Sequence, residues 1–290
     1  MGRRLSTVDW GSALRYFGRA LLEFAILLVA FGVHELLRGL AAGTLSESLS
    51  NARGLIGFEQ RVGLFQGAHL QHWVLAQPRF LLDLLDFAYI HMHMVCFYVF
   101  LAWVCLFHLK DAPKIRWMLI AIFCVAVPTY YFYPLAPPRY FPQLGFVDTV
   151  KVFGGVNYDA NTGILANSFA AMPSLHAGWA MFEAIGYARL SRYPWRWLGF
   201  VYWVWISIAV VATANHYIMD VLAGTVLAIG VWVLIPLLLA ALPWTKEHQA
   251  VATRAGSSPA LASGHAKDAA PGHLRQVEPA GQAEPADDQP

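Results

Sequence analysis

The stretch NHYIMDVLAGTVLAIGVWVLIPLLLAAL, residues 215–242, sets two ionisable side chains at the head of a long apolar run. No charged residue follows Asp220 before Leu242. Because a helix needs about 20 mostly apolar residues to cross the hydrocarbon core of a bilayer, the run predicts a transmembrane span at Tyr217–Leu242. His216 and Asp220 are four residues apart, which places both on one helix face at the start of that span.

Other apolar runs of comparable length occur earlier in the chain, at Leu21–Leu40, Leu81–Phe107, Ile115–Tyr133, Ser174–Leu190 and Leu198–Ala214. Of the 290 residues, 58% are hydrophobic and 13% are charged. That is too little charge to cover the surface of a soluble domain of this length. The sequence therefore predicts an all-α polytopic membrane protein, a six-transmembrane-helix bundle that forms one catalytic domain over residues 1–245.

Two segments outside the spans have a distinct character. Residues 250–290 are rich in Ala, Pro, Gly and polar residues and show no apolar periodicity, so residues 246–290 are predicted to be a disordered cytoplasmic tail. Between the first two spans, the segment 45–77 alternates apolar and polar residues at roughly helical spacing. That pattern favours an amphipathic helix lying in the membrane interface.

Lys and Arg residues cluster on one side of the predicted membrane, which should be the cytoplasmic side. That side carries Arg3, Arg4, Arg15, Arg19, Lys110, Lys114, Arg116, Arg189, Arg192 and Arg196. We therefore expect an integral protein of the cell membrane, with both termini in the cytoplasm and the long 1–2 and 3–4 loops outside. The basic residues flank apolar runs and do not line one polar face, so a nucleic-acid partner is not expected.

Two more polar stretches stand beside spans, YPLAPPR at 133–139 and MPSLH at 172–176. Pro173-Ser174 reads as a helix start, where free backbone N–H groups bind anions, and Ser174 adds a hydroxyl close to His176. Arg139 follows a rigid Pro-Pro step, and its planar guanidinium suits bidentate phosphate binding. Each stretch alone also has a plain interpretation, as a polar helix end, a chance histidine or an arginine at lipid headgroups.

The predicted topology brings these groups to one face of the membrane. The third span ends outside and the fourth and sixth begin there, so the site should be extracytoplasmic. Together the residues predict phosphoryl transfer: His216 attacks phosphorus to form a phosphohistidine, and Asp220 orients it. His176 protonates the leaving oxygen and then activates the acceptor, while Arg139 and Ser174 bind phosphate oxygens. The scheme needs no metal or other cofactor, because the protein supplies the positive charge.

Two closely spaced histidines in the second span, His91 and His93, invite a metal-binding hypothesis. Residues two apart point to nearly opposite sides of a helix, and no set of Cys or carboxylate residues is spaced to complete a site. We therefore assign these histidines to packing or to the lining of a cavity.

The polar motifs resemble those of the type 2 phosphatidic acid phosphatase superfamily, with matching order and spacing over about residues 20–242. The stretch 172–176 is similar to its PSGH-type motif, with Leu175 in place of glycine. The stretch 216–220 is similar to its HxxxD motif and is followed by the usual glycine at Gly224. The resemblance implies a six-span fold with His176, His216 and Asp220 as the catalytic residues.

Three positions depart from the superfamily pattern. Phe132 and Tyr140 replace a lysine and a proline of its first motif, and Val210 replaces an arginine of its third. These losses leave fewer phosphate-binding cations. Together with the Pro-Pro-Arg form of the first motif, they look more like the inositol phosphorylceramide synthase branch, an inositolphosphotransferase branch whose members transfer a headgroup phosphate between lipids and alcohols.

The resemblance implies a lipid-phosphate phosphotransferase or phosphatase that passes a phosphate-bearing headgroup to an inositol- or sugar-like alcohol, or to water. Membrane lipids, including a lipid phosphate, are the expected partners, with a polyol as a candidate acceptor. A simple lipid phosphate or polyprenyl phosphate phosphatase is the alternative. A proton-coupled transporter or lipid flippase would need broken helices or internal repeats, and a scaffold would need a recognition motif in its tail. The sequence shows neither.

Overall fold

The computed structural model describes residues 9–153 and 167–241, and the predicted tail at 246–290 lies outside them. The described residues form ten α-helices in chain order, which are α1 Trp10–Leu40, α2 Leu45–Arg61, α3 Gly67–Leu75, α4 Arg79–Phe87, α5 His93–Phe107, α6 Ala112–Phe132, α7 Thr149–Phe153, α8 Leu175–Leu190, α9 Leu198–Ala212 and α10 Ile218–Ala241. A π-helical turn, Ala88–Met92, joins α4 to α5. The all-α prediction is confirmed for these residues.

Five helical segments are long and apolar enough to cross a membrane, at Trp10–Leu40, Arg79–Phe107, Ala112–Phe132, Pro194–Ala212 and Ile218–Ala241. They coincide with five of the six predicted spans. The remaining predicted span, Ser174–Leu190, is the helix α8 of 16 residues. At 1.5 Å per residue it is about 24 Å long, shorter than a hydrocarbon core of about 30 Å. The sixth crossing therefore stays a prediction.

Helix α8 is the centre of the bundle. Most of its side chains are buried, including the large Trp179 and Phe182, and it packs mainly against α9 and α10. Phe182 and Trp179 join a core shared with α5, α6 and α10. Because the other helices cover it on several sides, α8 holds the residues at its start in a fixed place.

Glycines let α8 and α10 approach closely. A Cβ atom built on Gly224 of α10 would overlap the carbonyl oxygen of Ser174, and one built on Gly178 of α8 would lie 3.1 Å from the carbonyl oxygen of Gly224. Backbone carbonyls cannot move aside as side chains do. The glycine that follows the HxxxD-like motif is therefore required by packing at the head of α8.

We expect the substitution Gly224→Ala to destabilise the protein by roughly 1–3 kcal/mol, the usual cost of overpacking a tight interface, and to lower turnover by displacing the start of α8. Gly230→Ala on the same helix is the matched control, because a Cβ there meets nothing within 4 Å. Thermal unfolding in detergent measures both variants. If the two had the same Tm, the close approach at Gly224 would not be a constraint.

The predicted amphipathic segment is helical. One face of α2 is buried, comprising Ser48, Ala52, Leu55, Ile56 and Glu59. These positions recur at helical spacing. A Cβ on Gly54 or Gly57 would meet nothing within 4 Å, so these glycines lie on the open face and leave the packing intact. A second short helix, α3, completes the segment. Its placement in the membrane interface stays a prediction.

Candidate active site

A cavity of about 590 Å³ opens between α1, α5 and the first turn of α8. Three of the five predicted site residues line it, namely Arg139, His176 and His216. They come from three different parts of the chain, as the topology argument requires. The other two, Ser174 and Asp220, are completely buried and do not line the cavity.

His216 lies in the turn between α9 and α10 and is only 6% exposed. Its Nδ1 is 2.9 Å from the carbonyl oxygen of Ala171. Because a carbonyl only accepts, Nδ1 carries the hydrogen and Nε2 keeps the lone pair. The pKa of His216 is lowered to about 3, chiefly by burial; the bond to Ala171 opposes the change and the charge of Arg139 adds to it. The imidazole is therefore neutral at physiological pH, as a nucleophile must be.

Asp220 has a less direct part in orienting His216 than the motif suggests. Its Oδ2 is 3.5 Å from Nδ1 of His216 and accepts the backbone N–H of Tyr217 at 2.9 Å. Its Oδ1 has no hydrogen-bond partner among the described residues. The shorter bond to the imidazole comes from Ala171. A backbone carbonyl thus fixes the tautomer, and the buried carboxyl group of Asp220 lies beside the ring.

His176 is the second residue of α8 and faces His216, with 5.6 Å between the ring centroids. Ser174 is the N-cap of α8, and its Oγ accepts the N–H of Ala177 at 3.5 Å. The backbone N–H of Ser174 donates to the carbonyl of Asp220 at 3.0 Å, which ties the start of α8 to α10. The predicted helix start is confirmed, whereas the contact of Ser174 with phosphate stays a prediction.

Arg139 lies in a short 3₁₀ turn, Pro138–Tyr140. Its Nη1 donates to Oδ1 of Asn215 at 2.6 Å, and its Nε is 3.8 Å from Asp148. The backbone N–H of Arg139 also donates to the carbonyl of Ala214 at 3.0 Å. These bonds hold the guanidinium beside the turn that carries His216.

Sequence reasoning missed a second arginine at the cavity. Arg38 and Glu35, near the end of α1, both line this cavity. The Nη2 of Arg38 donates to Oε2 of Glu35 at 2.8 Å. The side-chain amide of Asn167 donates to the backbone carbonyl of Arg38 at 2.8 Å and anchors this end of the helix. The sequence did contain a signal for this arginine, because Glu35 and Arg38 lie three residues apart at the predicted outer end of the first span.

Metal binding has no obvious location in residues 9–153 and 167–241, where no three His, Cys, Asp or Glu side chains lie close enough to share an ion. The two histidines of the second span have different surroundings, as helical geometry predicts. His91 is exposed, whereas His93 is buried and lines the cavity.

Glu59 of α2 is bonded to the start of α10, next to the candidate site. Its Oε1 accepts the backbone N–H of Met219 at 2.8 Å, in the first turn of α10. Burial raises the pKa of Glu59 to about 7, and the negative charge of Asp220 adds to the rise, while the N–H groups of Met219 and Ile218 oppose it. A partly protonated carboxyl therefore caps the helix that follows His216.

Glu59 should make stability depend on pH. Its folded-state pKa lies above the ordinary 4.5, so the stability it contributes is complete below about pH 4.5 and is lost as the pH rises through 7. Glu59→Gln keeps an acceptor without the charge. We expect its Tm to exceed the parent's at pH 8 and to approach it at pH 5, measured by melting in detergent.

Glu59→Ala is the control for the cap itself. It leaves the N–H of Met219 without its acceptor, which costs about 1–3 kcal/mol, so its Tm should be below the parent's at both pH values. A Tm difference between Glu59→Gln and the parent that is the same at pH 5 and pH 8 would contradict titration of Glu59 in this range.

Comparison with known proteins points to one family. The model of the PAP2 superfamily matches residues 53–234. The chain is 30% identical over 147 residues to phosphoinositol dihydroceramide synthase of Bacteroides thetaiotaomicron, across 44% of this chain and 48% of the relative. It is 41% identical over 63 residues to the inositol phosphorylceramide synthase catalytic subunit aur1 of Schizosaccharomyces pombe, across 21% of this chain and 14% of the relative.

The matched part thus spans about half or less of the length of these relatives. No solved structure gives a significant match. The comparisons confirm the resemblance drawn from the motifs, including the branch to which the Pro-Pro-Arg form pointed.

Proposed function

Because this chain belongs to the PAP2 superfamily, we propose that it transfers a phosphate-bearing lipid headgroup to an alcohol through a phosphohistidine at His216. The observation that supports this proposal most strongly is the protonation state of the His216 imidazole. It is neutral, it keeps its lone pair on Nε2, and it lies on a cavity beside His176. An arrangement of this kind suits nucleophilic attack followed by proton transfer.

In the first half-reaction, Nε2 of His216 attacks the phosphorus and the ester bond to the leaving alcohol breaks. His176, in its protonated imidazolium form, gives a proton to the leaving oxygen and becomes neutral. The imidazolium that forms at His216 is stabilised by the nearby carboxylate of Asp220 and keeps its bond to Ala171. Arg139, on the wall of the cavity, holds the non-bridging oxygens as charge develops.

In the second half-reaction, the hydroxyl of the acceptor gives its proton to His176 and its oxygen attacks the phosphorus. The bond from phosphorus to Nε2 breaks, and His216 returns to its neutral form. Water in place of the alcohol would give hydrolysis by the same steps, so the acceptor decides between transferase and phosphatase.

The charge of the cavity favours a phosphodiester. Among the Arg and Glu side chains of its described lining, Arg38 and Arg139 are cationic and Glu35 is anionic, which leaves one net positive charge apart from the transferable proton on His176. A phosphodiester carries one negative charge, whereas a phosphomonoester carries about 1.5 to 2 at neutral pH. A diester keeps its headgroup during transfer. The two relatives are named a phosphoinositol dihydroceramide synthase and an inositol phosphorylceramide synthase catalytic subunit, which supports phosphoinositol as headgroup and a ceramide as acceptor.

Purified full-length protein in detergent tests the proposal with labelled phosphatidylinositol, with and without dihydroceramide or a free polyol. We expect diacylglycerol and a new phosphodiester lipid, formed only when an acceptor alcohol is present. Phosphatidic acid is the comparison substrate. If it released inorganic phosphate faster than phosphatidylinositol was consumed, the phosphatase alternative would be correct. No turnover of either lipid would favour a transporter.

Arg38 should bind the donor lipid, although it lies on a different helix from the superfamily's motifs. We expect Arg38→Ala to lower kcat/KM about 10- to 100-fold, mainly through KM, because a charge-assisted contact with a phosphate oxygen is lost. Arg38→Lys should recover part of the loss. The control is Arg79→Ala, which removes an exposed arginine paired with Asp83 outside the cavity. Equal kinetics for Arg38→Ala and the parent would remove Arg38 from the site.

A further inference from the structure

The second span contains a π-helical turn, Ala88–Met92, beside the candidate site. The extra residue in such a turn re-aims the side chains that follow, and these turns are often found at functional sites. Tyr89 within the turn and His93 directly after it both pack against the catalytic candidate His176, with ring centroids 4.6 and 4.5 Å away. The proposed mechanism gives neither residue a role.

The ring of His93 is held firmly. It is 1% exposed and stacks almost parallel on Trp179, with centroids 5.4 Å apart and 7° between the planes. On its other side it contacts His176. The ring therefore has little freedom to turn, and the directions of its two nitrogens are set by the packing.

The two nitrogens of His93 have different environments. Nδ1 is 3.5 Å from the hydroxyl of Tyr202 on α9, whereas Nε2 has no hydrogen-bond partner among the described residues. A buried polar atom without a partner destabilises the folded protein, and such atoms are rare. Because His93 lines the cavity, a bound ligand can supply the missing partner.

We propose that His93 is a substrate-binding residue whose Nε2–H donates a hydrogen bond to an oxygen of the phosphoester group in the cavity. In this arrangement the hydroxyl of Tyr202 donates to Nδ1, 3.5 Å away, and the hydrogen of the ring is on Nε2. The inference rests on the proposed function. A neutral donor at this position adds an oxygen contact without adding charge next to His176 and His216, the other imidazoles that line the cavity.

Binding can be measured apart from turnover in the full-length His216→Ala background, with phosphatidylinositol in mixed micelles as the probe. Adding His93→Phe keeps an aromatic ring against Trp179 and removes both nitrogens. We expect it to weaken binding about 10- to 100-fold. His93→Gln, which retains an N–H donor, should recover much of the loss, and Tyr202→Phe should cost a few-fold. His91→Phe, on the exposed face of the same turn, is the control and should bind like the background.

If His93→Phe binds the probe as tightly as the His216→Ala background, with an unchanged Tm, His93 is a packing residue and the inference is wrong. If His93→Phe does not fold, His93→Gln and Tyr202→Phe decide the question, and background affinity for Tyr202→Phe would overturn it. If the parent is active and these variants bind the probe normally, the role of His93 is refuted and the proposed function is not affected. A parent that neither binds nor converts phosphatidylinositol refutes the proposed function and this inference together.

Discussion

Replacing His216 by alanine is expected to lower kcat for lipid phosphoester transfer by at least about 10⁴-fold, as loss of a catalytic nucleophile does in enzymes with covalent intermediates. The reason lies in the geometry of the ring. Ala171 takes the hydrogen on Nδ1, and burial keeps the imidazole neutral, so Nε2 is available for attack. Steady-state turnover of phosphatidylinositol with an acceptor alcohol measures the loss.

Two further measurements test this prediction. Added imidazole should restore part of the activity of His216→Ala, because it can occupy the space that the side chain leaves. Asp220→Asn should be less damaging than His216→Ala, since Ala171 continues to fix the tautomer while only the stabilising charge is lost. Wild-type turnover by His216→Ala, or an Asp220→Asn variant that is the more damaged of the two, would contradict the assigned roles.

The membrane helices could be predicted from the sequence because apolar composition alone determines them. Ile218–Ala241 coincides with the predicted Tyr217–Leu242 almost residue for residue. The first helix begins eleven residues before its prediction, at Trp10 and not Leu21, because Asp9 caps it and its first turns lie outside the apolar run. Composition alone also cannot distinguish a short central helix from a span, so the crossing of the membrane by α8 stays a prediction.

The candidate site, like the fold, has parts that the sequence predicts and parts that it does not. His176, His216 and Arg139 stand in recognisable local motifs, and the predicted topology already placed them on one face. Ala171 contributes through a backbone carbonyl, which carries no residue-specific signal. Arg38 reaches the cavity only through the tertiary packing of α1. The sequence already suggested His93 as a packing or cavity-lining residue, whereas its contact with His176 depends on how α5 packs against α8. Contacts made by tertiary packing were therefore the ones that sequence reasoning missed.

His176→Gln should lower turnover of phosphatidylinositol by about 10²- to 10⁴-fold, the range expected for loss of a general acid and base. Its two proton transfers can be separated. A phosphodiester with a nitrophenol leaving group needs no proton from His176 to depart, so formation of the phosphohistidine should be nearly as fast as in the parent. The acceptor still needs a base, so breakdown should stay slow.

The expected signature is a burst of nitrophenol equal to the enzyme concentration, followed by slow release, with the headgroup phosphate held on His216 in a form that is labile to acid and stable to base. The double variant His176→Gln, His216→Ala should show no burst and little further loss beyond His216→Ala, because the two residues act in one sequence. A His176→Gln variant that is equally slow in both phases with the nitrophenyl substrate would contradict the leaving-group role, and His176 would then act by placing the neighbouring rings of Tyr89 and His93.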